Sequence, residues 1–200
     1  MPRVAGRPLE AIVNGDPESL SVAARWGFEL VHRHAIAAVD PRTARPPSAA
    51  TIPLSALGPR RVWECYRACA DDDPSGLSAA PPYDQFVSGV WHDPLHRPRL
   101  GRAVVEGKHV VAVALVSTAG TRAWNDFTGT RRAARGRGLA RTVKATVLVA
   151  LAGAGVTSCG TGNDTANAAM LAVNASLGYL PVAVTYGARR PSVEPGLVAR

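Results

Sequence analysis

The segment from Thr128 to Arg141 concentrates the residue types that can hold an anion. It contains five arginines and three glycines, follows a predicted strand over 121–128 and leads into a predicted helix over 142–152. Gly136 and Gly138 leave the backbone open to a ligand, and the positive end of the helix dipole faces the same place. Such a loop suits a pyrophosphate, although a solvated basic loop is the alternative interpretation. The spacing matches neither a P-loop nor the dinucleotide-binding glycine motif.

The formal net charge of +8, from 23 basic and 15 acidic residues, indicates an anionic partner. Composition alone leaves nucleic acid, a membrane surface and a phosphorylated small molecule open. Lys108 and Lys144 are the only lysines, so arginine carries most of the positive charge. Five arginines fall in one glycine-rich loop, and no run of aromatic residues lies beside them to stack on bases. We therefore expect a small phosphorylated partner, and neither nucleic acid nor a membrane.

The hydrophobic pattern around this loop predicts an α/β fold of the α+β kind, with helices layered on a sheet. Two helices, over 54–72 and 83–91, come first. Later elements are strands over 101–106, 109–116, 121–128, 156–161 and 180–185, with helices over 142–152 and 167–177. The acidic triplet Asp71-Asp72-Asp73 ends the first helix and is interpreted as a solvated helix terminus, because no further metal ligands accompany it.

The first 40 residues form a separate pattern of one strand, one helix and two strands. The strand over 9–14 is followed by a helix that Asp16 caps and Gly27 ends, and then by strands over 28–31 and 35–39. Residues 41–53 contain four prolines and are interpreted as a linker. This organisation predicts a partial repeat over 1–40, a linker over 41–53, a domain over 54–188 and a tail over 189–200.

Several functional classes are not expected from this sequence. No stretch approaches the run of about 20 apolar residues that spans a bilayer. The N-terminus lacks the apolar block of a secretory signal, which makes the cytoplasm the default location. Cys65, Cys69 and Cys159 match no metal-ligand spacing, so we interpret them as small buried thiols and expect no metal ion.

Two motifs give the chain a resemblance to the GNAT (Gcn5-related) acyltransferases. The first matches that family's Arg/Gln-x-x-Gly-x-Gly/Ala motif and reads Arg135-Gly136-Arg137-Gly138-Leu139-Ala140. The second resembles a later signature and comprises Thr161-Gly162-Asn163, Asn167-x-x-Met170 and Asn174-x-x-Leu177-Gly178-Tyr179. The resemblance covers about residues 55–187.

The front segment resembles the closing part of another GNAT domain, with its helix, Gly27-Phe28 pair and strands but no cofactor loop. The whole chain is therefore similar to the C-terminal domain of an actinobacterial tandem GNAT protein whose first repeat is truncated. An incorrectly assigned start codon is the alternative.

The resemblance implies a splayed mixed sheet, flanked by helices and preceded by a partial β-α-β-β repeat. Acetyl-CoA or another acyl-CoA would lie between two parting strands, with its pantetheine arm paired to the backbone of Thr128, Gly129 and Thr130. The residues that would wrap the pyrophosphate are Arg135, Gly136, Arg137, Gly138, Leu139, Ala140 and Arg141. Arg131, Arg132 or Lys144 would be available for further phosphate contacts.

Two asparagines complete the implied cofactor site. Asn167 would cap the next helix near the cofactor, and Asn174 would lie close to the thioester sulfur. Many GNAT enzymes have a tyrosine at the position of Asn174, where its hydroxyl can protonate the leaving thiolate. An amide can hydrogen-bond to sulfur, but it has no useful proton to donate near neutral pH. This departure leaves water as the proton donor.

An amine acceptor that arrives protonated needs a general base. Asp126 is the first candidate, because strict alternation along its strand puts its carboxylate on the face of Thr128. Glu106, near a turn on an earlier strand, is the second. His92 and His96 lie in a loop that could line the acceptor side.

These patterns predict a GNAT-like N-acetyltransferase that moves an acetyl group from acetyl-CoA to a primary amine of a small molecule by direct attack. The alternative is a non-catalytic acyl-CoA-binding or protein-interaction remnant of a tandem protein, which Asn174 and the truncated repeat favour. The apolar strands of the front segment need a partner surface. We expect them to pack on the second domain, or on another copy of the chain in a homodimer.

Overall fold

The computed structural model describes residues 9–70 and 80–190. The strands are β1 (Leu9–Asn14), β2 (Glu29–Val39), β3 (Ile52–Pro53), β4 (Arg102–Glu106), β5 (His109–Ala119), β6 (Arg122–Thr130), β7 (Ser158–Asp164) and β8 (Leu180–Arg190). The helices are α1 (Pro17–Arg25), α2 (Gly58–Ala70), α3 (Tyr83–Phe86), α4 (Leu139–Gly153) and α5 (Ala168–Ser176). A π-helical turn over Val87–Trp91 continues α3. The acidic triplet at 71–73 lies outside the described residues.

All of these strands belong to one mixed sheet, in the order β1-β8-β2-β7-β6-β5-β4-β3. Only the β6–β7 pair among them is parallel. Side chains of α4 pack on one face of the sheet, and those of α2 and α3 pack on the other. The predicted α+β class is confirmed. Among the described helices, none has both the length and the apolar character needed to cross a bilayer.

Strand β5 lies at the centre of this packing. Its residues from Val110 to Val116 are all buried, and from Ala112 to Val116 alternate side chains enter the two opposite cores. Burial on both faces explains why the run is apolar at every position rather than alternating.

The parallel strands β6 and β7 pair only over their first residues, from Arg122–Ser158 to Trp124–Gly160. Beyond this point β6 contains a bulge, because Val116 pairs with Asn125 while Leu115 pairs with Phe127, leaving Asp126 as the extra residue. A bulge bends and twists the strand that carries it. The two strands diverge from here, and a cavity opens between them.

The units β1-α1-β2 and β7-α5-β8 have the same order of elements and interlock within the sheet. β2 lies between β7 and β8, while β8 lies between β1 and β2. The first strand of each unit pairs with the last strand of the other, as Leu9 does with Arg190 and Cys159 with Val39. The front segment therefore pairs with the rest of the same chain through three ladders, β1–β8, β2–β8 and β2–β7.

Some predicted boundaries are wrong because strand pairing overrides local composition. Residues 29–31 and 35–39 belong to the one strand β2, which has a bulge at Val31 and pairs with β8 on both sides of it. β8 extends past 185 to Arg190, and so into the predicted tail, because β1 and β2 pair with it on both sides. Within the predicted linker, Ile52–Pro53 pairs with β4.

Candidate functional site

A cavity of about 600 Å³ occupies the space where β6 and β7 diverge. Its walls include the outer half of β6, the end of β7, the loop before α4 and the start of α5. The edge of β6 that faces β7 has no strand partner beyond Trp124 within the described residues. Thr130 Oγ1, buried in this wall, also has no hydrogen-bond partner among those residues. A strand-like polar ligand could form hydrogen bonds with the unpaired backbone N–H and C=O groups along this edge.

The outer end of the cavity is the N-terminus of α4. Gly136 and Gly138 have φ of 76° and 74°, a left-handed conformation that glycine adopts without strain. No side chain caps α4 at Gly138, and its first turn contains no acidic residue. The amide of Thr142 is the first in this helix to bond back, to Gly138, so the preceding amides remain available to a ligand.

The arginines of the loop divide into two groups. Arg135 and Arg141 line the cavity. Arg137 does not, and its guanidinium instead forms an ion pair with Glu106 at 2.6 Å. Arg131 donates from Nε to the carbonyl of Val110 at 2.8 Å. The structure thus brings part of the predicted arginine cluster to the cavity and turns the rest towards β4 and β5.

Asp126 lies at the bulge and lines the cavity, although not for the predicted reason. The bulge breaks the strict alternation that was expected to relate Asp126 to Thr128. Ser117 Oγ donates to Asp126 Oδ1 at 2.9 Å. Desolvation by the surrounding protein raises the pKa of Asp126 to about 6, and the negative charge of Asp93 acts in the same direction. The carboxylate remains a proton acceptor at neutral pH.

Glu106 is not brought to the cavity, because it ends β4 on the exposed outer side of the loop. The hydrogen bonds from Arg137 hold the pKa of its carboxyl below the ordinary value. His92 and His96 also lie outside the cavity wall. His96 is buried, and desolvation lowers its pKa. None of these three residues therefore lines the cavity, although His96 forms an antiparallel bridge with Ser117, which donates to Asp126.

The two asparagines of α5 have different surroundings. Asn167 lines the cavity and caps the helix, with Oδ1 accepting from the amide of Met170 at 3.1 Å. Asn174 is buried behind the wall, and its Nδ2 donates to Asn163 Oδ1 at 2.7 Å. Its own Oδ1 has no partner among the described residues. Asn163, rather than Asn174, is the amide that faces the cavity.

Lys144 is the functional candidate that sequence reasoning missed, having placed it among the phosphate-binding cations. Its side chain is 2% exposed, lines the cavity and donates from Nζ to Asn125 Oδ1. Nζ also lies 4.9 Å from the centre of the Tyr179 ring. Burial lowers the pKa of Lys144 to about 7. The available signal was a single lysine inside the otherwise apolar helical run over 142–152.

Asn125 connects Lys144 to the bulge. Its Nδ2 donates to the carbonyl of Leu115 at 2.8 Å, and its Oδ1 also accepts from Thr128 Oγ1 at 2.9 Å. The amide thus satisfies a carbonyl that the bulge leaves without a regular ladder partner. No sequence pattern indicated this role, because it depends on the bulge.

The front segment contributes to the same cavity through β2. His34 lines the wall, and His32 Nδ1 lies 3.3 Å from Asp164 Oδ2 at the end of β7. Only the interlocked sheet places His34 beside the site.

No protein-family model and no curated protein matches this sequence. Solved structures share its fold. The GCN5-related N-acetyltransferase from Sphaerobacter thermophilus superposes with a TM-score of 0.74 at 18% identity, over 95% of this chain and 61% of that chain. The GCN5-related N-acetyltransferase from Kribbella flavida gives 0.66 at 20% identity, over 93% and 69%.

A tandem GNAT protein from the clavulanic acid biosynthesis pathway is also similar. Its TM-score is 0.63 at 19% identity, over 94% of this chain and 65% of that chain. The present chain thus spans about two thirds of the length of these proteins. The fold is that of the GNAT acetyltransferases.

Proposed function

We propose that this protein is an acyl-CoA-dependent N-acyltransferase that transfers an acetyl group from acetyl-CoA to a primary amine of a small molecule. The observation that carries the proposal is one continuous cavity. Its inner wall is the unpaired edge of β6, and its outer end is the uncapped N-terminus of α4. An elongated ligand with a polar arm and a pyrophosphate matches both features. The GNAT fold supports the same assignment.

The residues present fit such a donor. Backbone groups of Thr128, Gly129 and Thr130 would bind the amide-containing arm along the open strand edge. The amides of the first turn of α4, with Arg135 and Arg141, would bind the phosphates. The thioester supplies an activated acyl group, so the chain itself has to position an amine and manage protons.

Asp126 is the proposed general base. It faces the cavity where the strands part, and its carboxylate is held by Ser117. Because its pKa is about 6, it is ionised at pH 7 yet is a better proton acceptor than an ordinary aspartate. It would remove a proton from the acceptor ammonium before or during direct attack. Glu106 cannot do this in the described arrangement, since it lies outside the cavity and is paired with Arg137.

Ligand-induced stabilisation tests the donor site. Acetyl-CoA should raise the melting temperature, since a ligand at 100 times its Kd adds about 2.7 kcal/mol to the free energy of unfolding. Gly138→Trp should abolish the shift, because a large side chain would fill the anion end. Gly155→Trp is the matched control: it has φ of 80°, against 74° at Gly138, and lies just after the other end of α4. No shift in the unsubstituted protein with any acyl-CoA would contradict the proposal.

Release of free thiol from acetyl-CoA across a panel of amines tests turnover. The second candidate function, a non-catalytic acyl-CoA-binding remnant, is favoured by the position of Asn174, which lies behind the wall and has no proton to donate. A thermal shift without thiol release from any amine would select this second function. Thiol release that depends on a primary amine would select the enzyme.

A further inference from the structure

We propose that Lys144 is the proton donor to the departing thiolate of the acyl donor. This inference rests on the proposed function and assigns its leaving-group step. It is carried by the position of Lys144 at the closed end of the cavity, by its surroundings and by the absence of an anionic partner.

The position of Lys144 depends on the bulge in β6. Asn125 is the first residue of β6 beyond the last β6–β7 pair, Trp124–Gly160, and its Oδ1 accepts from Lys144 Nζ. The ammonium group is therefore held where the two strands begin to part, in the cavity that Asp126 also lines and away from the end at Gly138. A reacting carbonyl whose attacking amine is deprotonated by Asp126 would lie in this part of the cavity. The donor sulfur is bonded to that carbonyl, so it would lie within the region that Lys144 lines.

The surroundings leave the charge of Lys144 without a counterion. The titratable groups that face it are Cys159 from β7 and Tyr179 from the turn between α5 and β8. Burial raises the pKa of both groups, so both are neutral near pH 7. Asp126 of β6 lines the same cavity, but no ion pair of the described residues includes Lys144.

A buried cation is costly unless an anion or a set of hydrogen bonds compensates for it. One amide oxygen and one aromatic face are weak compensation, and desolvation accordingly lowers the pKa of Lys144 to about 7. An anion that forms inside the cavity would complete the site. The departing thiolate is an anion that the proposed reaction produces there, and unlike the transient oxyanion on the acyl carbon it must take up a proton to leave as a thiol.

The step balances without any further reactant. The acceptor nitrogen forms a bond to the acyl carbon, the carbon–sulfur bond breaks, and its electron pair stays on sulfur. Lys144 gives one proton to that sulfur, which yields the free thiol and a neutral amine side chain. Asp126 receives the proton that the acceptor nitrogen loses, and exchange with water restores both residues. An ammonium with a pKa near 7 can protonate a thiolate whose conjugate thiol has a pKa of about 8.5.

The variant Lys144→Met tests this role, with Lys108→Met as the matched control. Lys108 is the only other lysine and lies exposed in the turn between β4 and β5. Methionine has similar volume, and Asn125 Oδ1 keeps its bond from Thr128 Oγ1, so the fold should persist. We expect kcat to fall about 100-fold in Lys144→Met, as for loss of a general acid. The acetyl-CoA thermal shift should remain, and Lys108→Met should match the unsubstituted protein.

A second readout does not depend on turnover. The ultraviolet absorbance of the thiolate, measured as the difference between bound CoA and bound desulfo-CoA, gives the pKa of the bound thiol. We expect a pKa below that of free CoA in the unsubstituted protein and in Lys108→Met, and a return towards the free value in Lys144→Met. An unchanged bound-thiol pKa in Lys144→Met would overturn the assignment.

Mass spectrometry after incubation with acetyl-CoA shows whether Lys144 itself becomes acylated. Stoichiometric acylation of Lys144 would show that the side chain attacks the thioester itself, which overturns the role of proton donor. Unmodified Lys144 after many turnovers supports it.

If acetyl-CoA gives no thermal shift in the unsubstituted protein, the proposed function fails and this inference fails with it. A retained shift with unchanged kcat in Lys144→Met removes only the assignment to Lys144.

Discussion

The outer end of the cavity presents backbone amides of α4 and two exposed arginines, whereas the closed end holds the buried Lys144 and, at its wall, the exposed Asp126. At the outer end no group needs to change its protonation state to bind a phosphate. At the closed end desolvation raises the pKa of Asp126 and lowers that of Lys144, so both pKa values lie close to neutral pH. One end is suited to binding and the other to proton transfer.

The largest expected effect concerns the cost of burying Lys144. Its pKa is about 7 in the folded chain against an ordinary value of 10.5. Between these values the unfolded chain binds more protons, so the free energy of unfolding should rise as pH increases from 7 towards 10.5. The full penalty, about 5 kcal/mol at 1.36 kcal/mol for each pKa unit, is present below pH 7.

Lys144→Met should therefore be the more stable protein at pH 6 and should lose most of this pH dependence. Denaturant unfolding of both proteins between pH 6 and pH 10 measures the difference, and Lys108→Met should follow the unsubstituted protein. Parallel pH dependences for all three proteins would show that Lys144 is not desolvated as described.

Asp126→Asn should produce the next largest effect. Loss of a general base lowers kcat/KM by about 100-fold or more and removes the fall in rate below pH 6. The acetyl-CoA thermal shift should persist, because the outer end of the cavity is unchanged. The control is Asp93→Asn, in which the acidic limb should move to lower pH without a large loss of rate, since Asp93 raises the pKa of Asp126. Equal pH profiles for Asp126→Asn and the unsubstituted protein would contradict the assigned base.

Gly160→Ala tests the contact that fixes the point where the strands part. An added Cβ would lie 2.5 Å from the ring of Trp124, so we expect about 1–3 kcal/mol of destabilisation from overpacking. Gly153→Ala, at the end of α4 with open space around it, should instead be neutral or slightly stabilising. Thermal unfolding of the two variants measures the contrast. Equal melting temperatures would mean that Trp124 moves freely away from Gly160.

Glu106→Gln should have the smallest effect. The pair with Arg137 is exposed, and such pairs contribute little to stability. We expect kcat/KM to stay within about twofold of the unsubstituted protein, because Glu106 lies outside the cavity. A loss comparable to that of Asp126→Asn, measured in the same thiol-release assay, would return Glu106 to the reaction.

Much of the site could be read from local patterns. Gly136 and Gly138 define a turn that has the same geometry wherever it occurs, and the helix that follows needs no distant contact to present its amides. Asn167 could be identified as a cap for a similar reason. The division into a partial repeat and an acyltransferase domain stays a prediction, as does the donor.

Other features depend on pairing between distant strands. The bulge that exposes Asp126 exists only because β5 and β6 share a register with one extra residue. Placement of His34 beside the cavity requires β2 to lie between β7 and β8. Neither the bulge nor the position of His34 has a short-range sequence signal, because each depends on which strands pair across the whole sheet.

The sequence by itself determined the α+β class, the glycine turn before α4 and the family resemblance, because these rest on local conformation and on short ordered motifs. Only the tertiary structure decided which charged groups face the cavity. It turned Arg137 towards Glu106, placed Asn174 behind Asn163 and buried Lys144 at the point where β6 and β7 part. The physical reason is that desolvation and pairing depend on neighbours brought together by the fold, and these interactions set the protonation state of each group.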